Sequence, residues 1–178
     1  MNPLTRPKTI FRPVRIITAV AVFAVASCSA RPEKPVQVTA QTIASQQAGR
    51  PYVIDLTRRG AIYDVAAGVD YGRVEVRTSN GDIALNEFLR RRGYSAGERL
   101  LLGSSLGDLV NLLPPDAGPV AEAKPCDEQI GACWCVGRKD CSNLSQSGKC
   151  KSGPNDAVCG KGVGSPGSSW GCFCVMKQ

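Results

Sequence analysis

Eight of the nine cysteines in this 178-residue chain, Cys126, Cys133, Cys135, Cys141, Cys150, Cys159, Cys172 and Cys174, fall within residues 126–178. No other feature constrains the fold as much. Large aliphatic side chains are scarce in that segment, so a hydrophobic core cannot hold it alone, and crosslinks or a metal must contribute. An even set of cysteines in an exported chain reads as a disulfide framework. All eight are therefore expected in disulfides.

Spacing adds geometry. GACWCVGR (131–138) and WGCFCVMK (170–177) each place two cysteines around one aromatic residue. In a strand, residues i and i+2 share a face, so Cys133 and Cys135 emerge together with Trp134 opposite, and Cys172 and Cys174 do likewise around Phe173. Bonding within either pair would close a very small strained ring. Excluding those two bonds cuts the roughly 105 connectivities of eight cysteines to about 78. The pattern suggests two short antiparallel strands, CWCV and CFCV, with a cystine-rich face and the aromatics on the other side. Which cysteine meets which stays open.

Two rival uses of the thiols are weaker. Eight thiolates would suit zinc or monovalent copper by softness, but the chain has no CxxC knuckle with a matching partner and no histidine. A redox-active thiol needs its pKa lowered by a cation or a helix N-terminus. Arg138 and Lys139 are the only cations near the first pair, and no thioredoxin-like βαβ context surrounds either one. No metal and no cofactor is expected.

The compartment is indicated at the other end of the chain. MNPLTRPKTIFRPVR carries Arg6, Lys8, Arg12 and Arg15 with no acidic residue, and an uncharged stretch of 11 residues, IITAVAVFAVA (16–26), follows. A basic n-region before a short apolar run reads as a secretory signal. A membrane-spanning helix needs about 20 apolar residues, and this run meets Cys28, Ser29 and Arg31 too soon.

Val25-Ala26-Ser27-Cys28 at the end of that run resembles the lipobox of bacterial lipoproteins, although Val25 stands where leucine is commoner. The resemblance covers the leader and its junction only. It implies cleavage after residue 27, acylation of Cys28 and anchoring through several acyl chains, since one chain anchors weakly. Ser29, rather than aspartate, implies sorting to the outer membrane of the bacterial envelope. Ordinary signal-peptidase cleavage near Ala26 or Ala30 is the alternative. Lipidation of Cys28 would also account for the odd ninth cysteine.

Once the leader is set aside, charge says little. Residues 1–27 hold four of the 22 basic side chains and none of the 15 acidic ones, so the remainder carries only +3. No basic-aromatic interleaving accompanies it, and nucleic acid is not an expected partner. Arg90-Arg91-Arg92, with Arg58-Arg59, reads as a solvated helix end.

Composition then divides the mature chain. Residues 28–51 are polar, rich in proline and without a sustained apolar period, as in a disordered tether. Residues 114–125, PPDAGPVAEAKP, contain four prolines and read as a stiff linker. Between them, 52–113 reads as a small α+β module. Short strands are expected in YVIDL, AIYDV and RVEVRT, and a turn at Ser79-Asn80-Gly81. Asp82 is expected to cap a helix through IALNEFLRRR that stops at Gly93. A second helix, LGDLVNLL, would start at a capping box of Ser105 and Asp108 and end at Pro114. The carboxylates Asp55, Asp64, Asp70, Glu75, Asp82 and Glu87 are read as solvated. Residues 126–178 form the disulfide-rich C-terminal module with short β-strands.

Function is bounded mainly by exclusion. Without histidine, the usual Ser/His/Asp and Cys/His systems and histidine-ligated metal sites are absent. Gly160-Lys161-Gly162-Val163-Gly164 lacks the strand, helix and Lys-Ser/Thr ending of a phosphate loop. The expectation is a non-enzymatic envelope protein, attached to the membrane through its N-terminal lipid and serving a structural or protein-interaction role. Its partner would be another envelope or extracellular protein, with Trp134, Trp170, Phe173 and Lys161 as candidate contact residues. The alternative is a thiol-based metal-binding or redox protein of the same compartment.

Overall fold

A computed structural model describes residues 34–46, 49–91, 94, 98–115, 126–150, 157–161 and 169–177. The expected leader and Cys28 lie outside the described residues. In chain order the elements are β1 (Val36–Val38), α1 (Ala40–Ala44), β2 (Tyr52–Asp55), β3 (Ile62–Val65), a 3-10 turn at Tyr71–Arg73, β4 (Val74–Thr78), β5 (Gly81–Ala84), α2 (Leu85–Arg90), β6 (Leu100–Gly103), α3 (Leu106–Val110), β7 (Cys126–Asp127), β8 (Ala132–Val136), α4 (Gly137–Gln146), β9 (Ala157–Lys161) and β10 (Trp170–Val175). The chain is thus mixed α+β, with a disulfide-rich C-terminal part built from short strands.

The strands form two sheets, one of seven strands ordered β1-β3-β6-β9-β10-β8-β7 and one of three ordered β2-β4-β5. Strand β6 explains how the layers stack. Its leucines are all buried, but they divide by face. Leu100 and Leu102 join a cluster with Tyr63, Val65 and Val158 from the large sheet, Ile54, Val74 and Val76 from the small one, and Leu85, Phe88 and Leu89 from α2. Leu101 joins a cluster on the opposite face with Leu106, Leu109 and Val110 of α3, Leu144 of α4 and six buried cysteines. A strand buried on both faces reads as a continuous apolar run rather than an alternation, as LLL does here. The seven-stranded sheet is therefore the middle layer, between the small sheet with α2 and the pair α3 and α4.

Strands β2, β3 and β4 and the turn before Gly81 lie where the sequence predicts them. Gly81 has φ +111°, a conformation that L side chains rarely adopt. Ser105 caps α3 as expected, its Oγ accepting from the Asp108 backbone N–H at 3.3 Å and lying 2.6 Å from the Asp108 carboxylate.

Three features differ from expectation. Residues 81–84 continue the hairpin as β5 instead of entering a helix, and Asp82 forms a bidentate ion pair with Arg77 directly opposite it. The turn returns the chain along β4, so its ladder captures these residues and α2 starts only at Leu85. Second, part of the expected tether is folded. Val36–Val38 pairs in parallel with β3, Thr39 caps α1 in a capping box with Thr42, and Val38 and Ile43 are buried. Elements of three and five residues are too short to show a period.

Third, the segments 52–113 and 126–178 share one sheet. Strand β6 pairs antiparallel with β9, placing Leu101 opposite Cys159 and Leu102 opposite Val158. Residues Arg31–Gln178 form one contact unit. The Tyr94 hydroxyl donates to the Val158 carbonyl, and Arg138 donates to the carbonyls of Leu113 and Asn111 at the end of α3. The proline-rich linker expected at 114–125 lies, from residue 116 on, outside the described residues, and the segments it joins are packed together.

Candidate functional site: a cystine-lined sheet face

Strands β8 and β10 pair antiparallel, with Cys172 opposite Cys135, Phe173 opposite Trp134 and Cys174 opposite Cys133. The four sulfurs share one face and the two aromatic rings share the other, as the CxC spacing predicts. The rings meet edge to face with centroids 5.7 Å apart, a geometry favoured by the ring quadrupole.

The facing cysteines do not bond to one another. Each bonds outward to a different neighbour: Cys133 to Cys126 on β7, Cys135 to Cys141 on α4, Cys172 to Cys159 on β9, and Cys174 to Cys150 beside the end of β10. The central pair of strands is thereby tied to everything around it. Gly137, at φ +78°, turns the chain from β8 into α4, and the Asp140 carboxylate accepts from the Val136 N–H at 2.9 Å. That turn brings Cys141 over Cys135.

Burial separates the cysteines into two kinds. Cys133, Cys135, Cys141, Cys159, Cys172 and Cys174 are all fully buried, whereas Cys126 and Cys150 are half-buried. Leucines of α3 and α4 cover the face, and Trp170 packs against its edge. The sulfurs of Cys135, Cys141 and Cys172 lie within 4.8 Å of one another. In the bonded state these atoms belong to two cystines, Cys135–Cys141 and Cys159–Cys172. A cystine sulfur is not a thiolate, and the thiolate is the metal ligand and the nucleophile, so metal binding at this triad would require reduction first.

At the β1 edge the same sheet face becomes polar. Arg99 donates from Nε and Nη2 to both oxygens of Asp64, at 2.8 and 2.7 Å, and Gln37 adds a hydrogen bond at 3.1 Å. Chiefly through the Arg99 hydrogen bonds, which outweigh the opposing cost of burial, the Asp64 carboxyl is held below its ordinary pKa. Arg99 also lies 6.0 Å from the centre of the Trp170 ring, within reach of a cation–π contact. Asp64 is buried at 7% exposure, which corrects its reading as a solvated carboxylate. Alternation within Ile62–Val65 already placed it on the face of Ile62, away from Tyr63 and Val65.

The candidate contact residues fare unequally. Lys161 is exposed and stands opposite Trp170 across β9 and β10, and Trp170 and Trp134 are half-buried. Phe173 is buried at 5% exposure, packed beside Val158 and Trp134, so it offers little surface to a partner. Arg90 and Arg91 both bind Glu87 and pull its pKa down to about 2, as fits an exposed helix end. Among the described residues no helix is long and apolar enough to cross a membrane. Comparison of the chain with protein-family models, with curated proteins and with solved structures finds no match.

Proposed function

We propose that this protein is an exported, lipid-anchored component of the bacterial cell envelope, held at the outer membrane through Cys28, whose disulfide-bonded head has a non-enzymatic structural or protein-interaction role. One observation carries the reading. The eight cysteines after residue 125 pair entirely among themselves, so the ninth, Cys28, is left alone beside the apolar leader. Four cystines with mostly buried sulfurs suit an oxidising compartment, and a thiol left over at such a junction suits acylation. The contact surface for an envelope or extracellular protein is the sheet end that presents Trp170, Lys161 and Arg99.

Intact mass spectrometry of the protein from envelope fractions tests both parts. The expected product lacks residues 1–27, carries an acyl increment on Cys28 and is lighter by the hydrogens of eight oxidised thiols. Cys28→Ser should abolish the increment and release the head from the membrane fraction. A cytosolic product with its leader attached and its thiols free would refute the reading.

A second reading, thiol-based metal or redox chemistry, attaches to the sulfur triad of Cys135, Cys141 and Cys172. It calls for free thiols in the native protein. Alkylation under denaturing, non-reducing conditions separates the two: no modified cysteine after residue 125 supports the stapled head, and several there, with co-purifying metal, support the rival.

A further inference from the structure

We infer that Cys126–Cys133 and Cys150–Cys174 form a thiol–disulfide exchange couple, in which a dithiol reductant converts two outward cystines into the single cross-strand cystine Cys133–Cys174 and frees Cys126 and Cys150. The inference rests on the oxidised head proposed above.

The exposure pattern sets the direction of attack. Of the eight paired cysteines only Cys126 and Cys150 are partly open to solvent, and each is the outer member of its cystine. Exchange proceeds by a thiolate attacking an accessible sulfur and expelling the other. An external thiol that reaches Cys126 therefore expels Cys133, and one that reaches Cys150 expels Cys174. The expelled sulfur is always the inner one.

Register then supplies the second step. Cys133 and Cys174 are direct cross-strand partners on β8 and β10, and Cβ atoms of such partners lie about 4.5–5.5 Å apart. The neighbouring partners in the same two strands, Cys135 and Cys172, have sulfurs within 4.8 Å. A thiolate released at Cys133 thus faces the Cys174 sulfur of the remaining cystine.

The electrons balance as follows. The reductant's first thiolate bonds to Cys126 and the Cys126–Cys133 bond breaks, leaving the electron pair on Cys133. Cys133 attacks Cys174, the Cys150–Cys174 bond breaks, and the Cys150 thiolate takes a proton. The reductant's second thiol attacks the mixed disulfide, closes its own disulfide and releases Cys126, which also takes a proton. Two cystines and one dithiol become one cystine, two protein thiols and one oxidised reductant. Entry at Cys150 gives the same products.

The inner tier does not take part. Both ends of Cys135–Cys141 and of Cys159–Cys172 are fully buried, so the staples to α4 and β9 persist while those to β7 and to the segment after α4 are released. The partner class is a dithiol oxidoreductase of the envelope, and the products are two accessible thiols at the points where the chain leaves the sheet.

The purified, oxidised full chain can be treated with a limiting amount of dithiothreitol, alkylated with N-ethylmaleimide and mapped by peptide mass spectrometry without further reduction. Alkylated Cys126 and Cys150 are expected, together with a new crosslink between the peptides of Cys133 and Cys174. Alkylation of both members of one original cystine, or no reaction under native conditions, would overturn the inference. Cys126→Ser tests it without reductant: Cys133 should appear bonded to Cys174 and Cys150 as the free thiol, whereas free Cys133 beside an intact Cys150–Cys174 bond would count against exchange. Should this variant fail to fold, the wild-type titration decides. Alkylation of any of the eight cysteines after residue 125 before a dithiol is added would sink the oxidised head itself and the exchange with it, whereas intact cystines that never exchange sink the exchange alone.

Discussion

On one face of the seven-stranded sheet, Tyr63, Val65, Leu100, Leu102 and Val158 meet the aliphatic and aromatic side chains of the small sheet and α2; on the other, leucines of α3 and α4 close over buried sulfurs. The first face is held by apolar area withdrawn from water, a contribution present whatever the redox state. The second combines burial with covalent bonds that act largely by restricting the unfolded chain. Two kinds of core thus share one set of hydrogen-bonded strands, and only one can be loosened by a reductant.

The largest expected effect breaks that symmetry. Complete reduction removes four cystines, each worth about 2–4 kcal/mol, against a net stability of about 5–15 kcal/mol for a typical domain. Hydrogen exchange should show β7–β10 and α4 losing protection while β2, β4, β5 and α2 keep theirs. Equal loss throughout would mean that the two faces form a single cooperative unit.

Cavity-forming substitutions sharpen the contrast. Phe88 and Leu109 are both buried, one on each face, and in the oxidised protein Phe88→Ala should cost about 3–5 kcal/mol and Leu109→Ala about 2–5 kcal/mol. After reduction the Leu109 penalty should shrink while the Phe88 penalty persists, as measured by denaturant titration. An unchanged Leu109 penalty would show that α3 stays docked without the cystines.

A smaller change probes the contact between β6 and α3. A Cβ on Gly103 would lie 2.7 Å from Leu109 Cδ2 and 2.9 Å from its Cγ, too close for a buried side chain that has nowhere to retreat. Gly103→Ala should destabilise by about 1–3 kcal/mol, and combining it with Leu109→Ala should recover part of that loss. Simple additivity of the two would separate them.

The smallest effect is electrostatic. Asp64→Asn should cost about 1–2 kcal/mol near neutral pH, a modest figure because the Arg99 side chain is 56% exposed and its charge is screened by water. The folded-state pKa of Asp64 is depressed, so its contribution is complete above the unfolded value of about 3.9 and is lost as pH falls through the lower folded value. Wild type and variant should therefore begin to draw together in thermal stability as pH falls below about 4, and coincide only below the lower folded value. A gap that persists at lower pH would show that packing, not charge, explains the loss.

Legibility follows sequence distance. The shared faces within CWC and within CFC and the capping of α3 rest on neighbours a few residues apart, where backbone periodicity and hydrogen-bonding chemistry act directly. The strand β1 was hidden because three residues carry no period. The helix expected from Asp82 gave way to a hairpin because cross-strand pairing overrides local preference. Asp64 was misread because its partner, Arg99, is 35 residues away.

From composition and spacing alone, residues 126–178 needed crosslinks or a metal, the two cysteines of each CxC pair had to emerge on one face of a strand, and histidine-based catalysis was closed to the chain. Only the tertiary structure decided that each inner cysteine bonds outward and that β6 and β9 join the two halves in one sheet. The physical reason is that connectivity and strand order depend on register between segments far apart in the chain. Register is settled when both faces of the sheet are covered at once, and no local pattern encodes that condition.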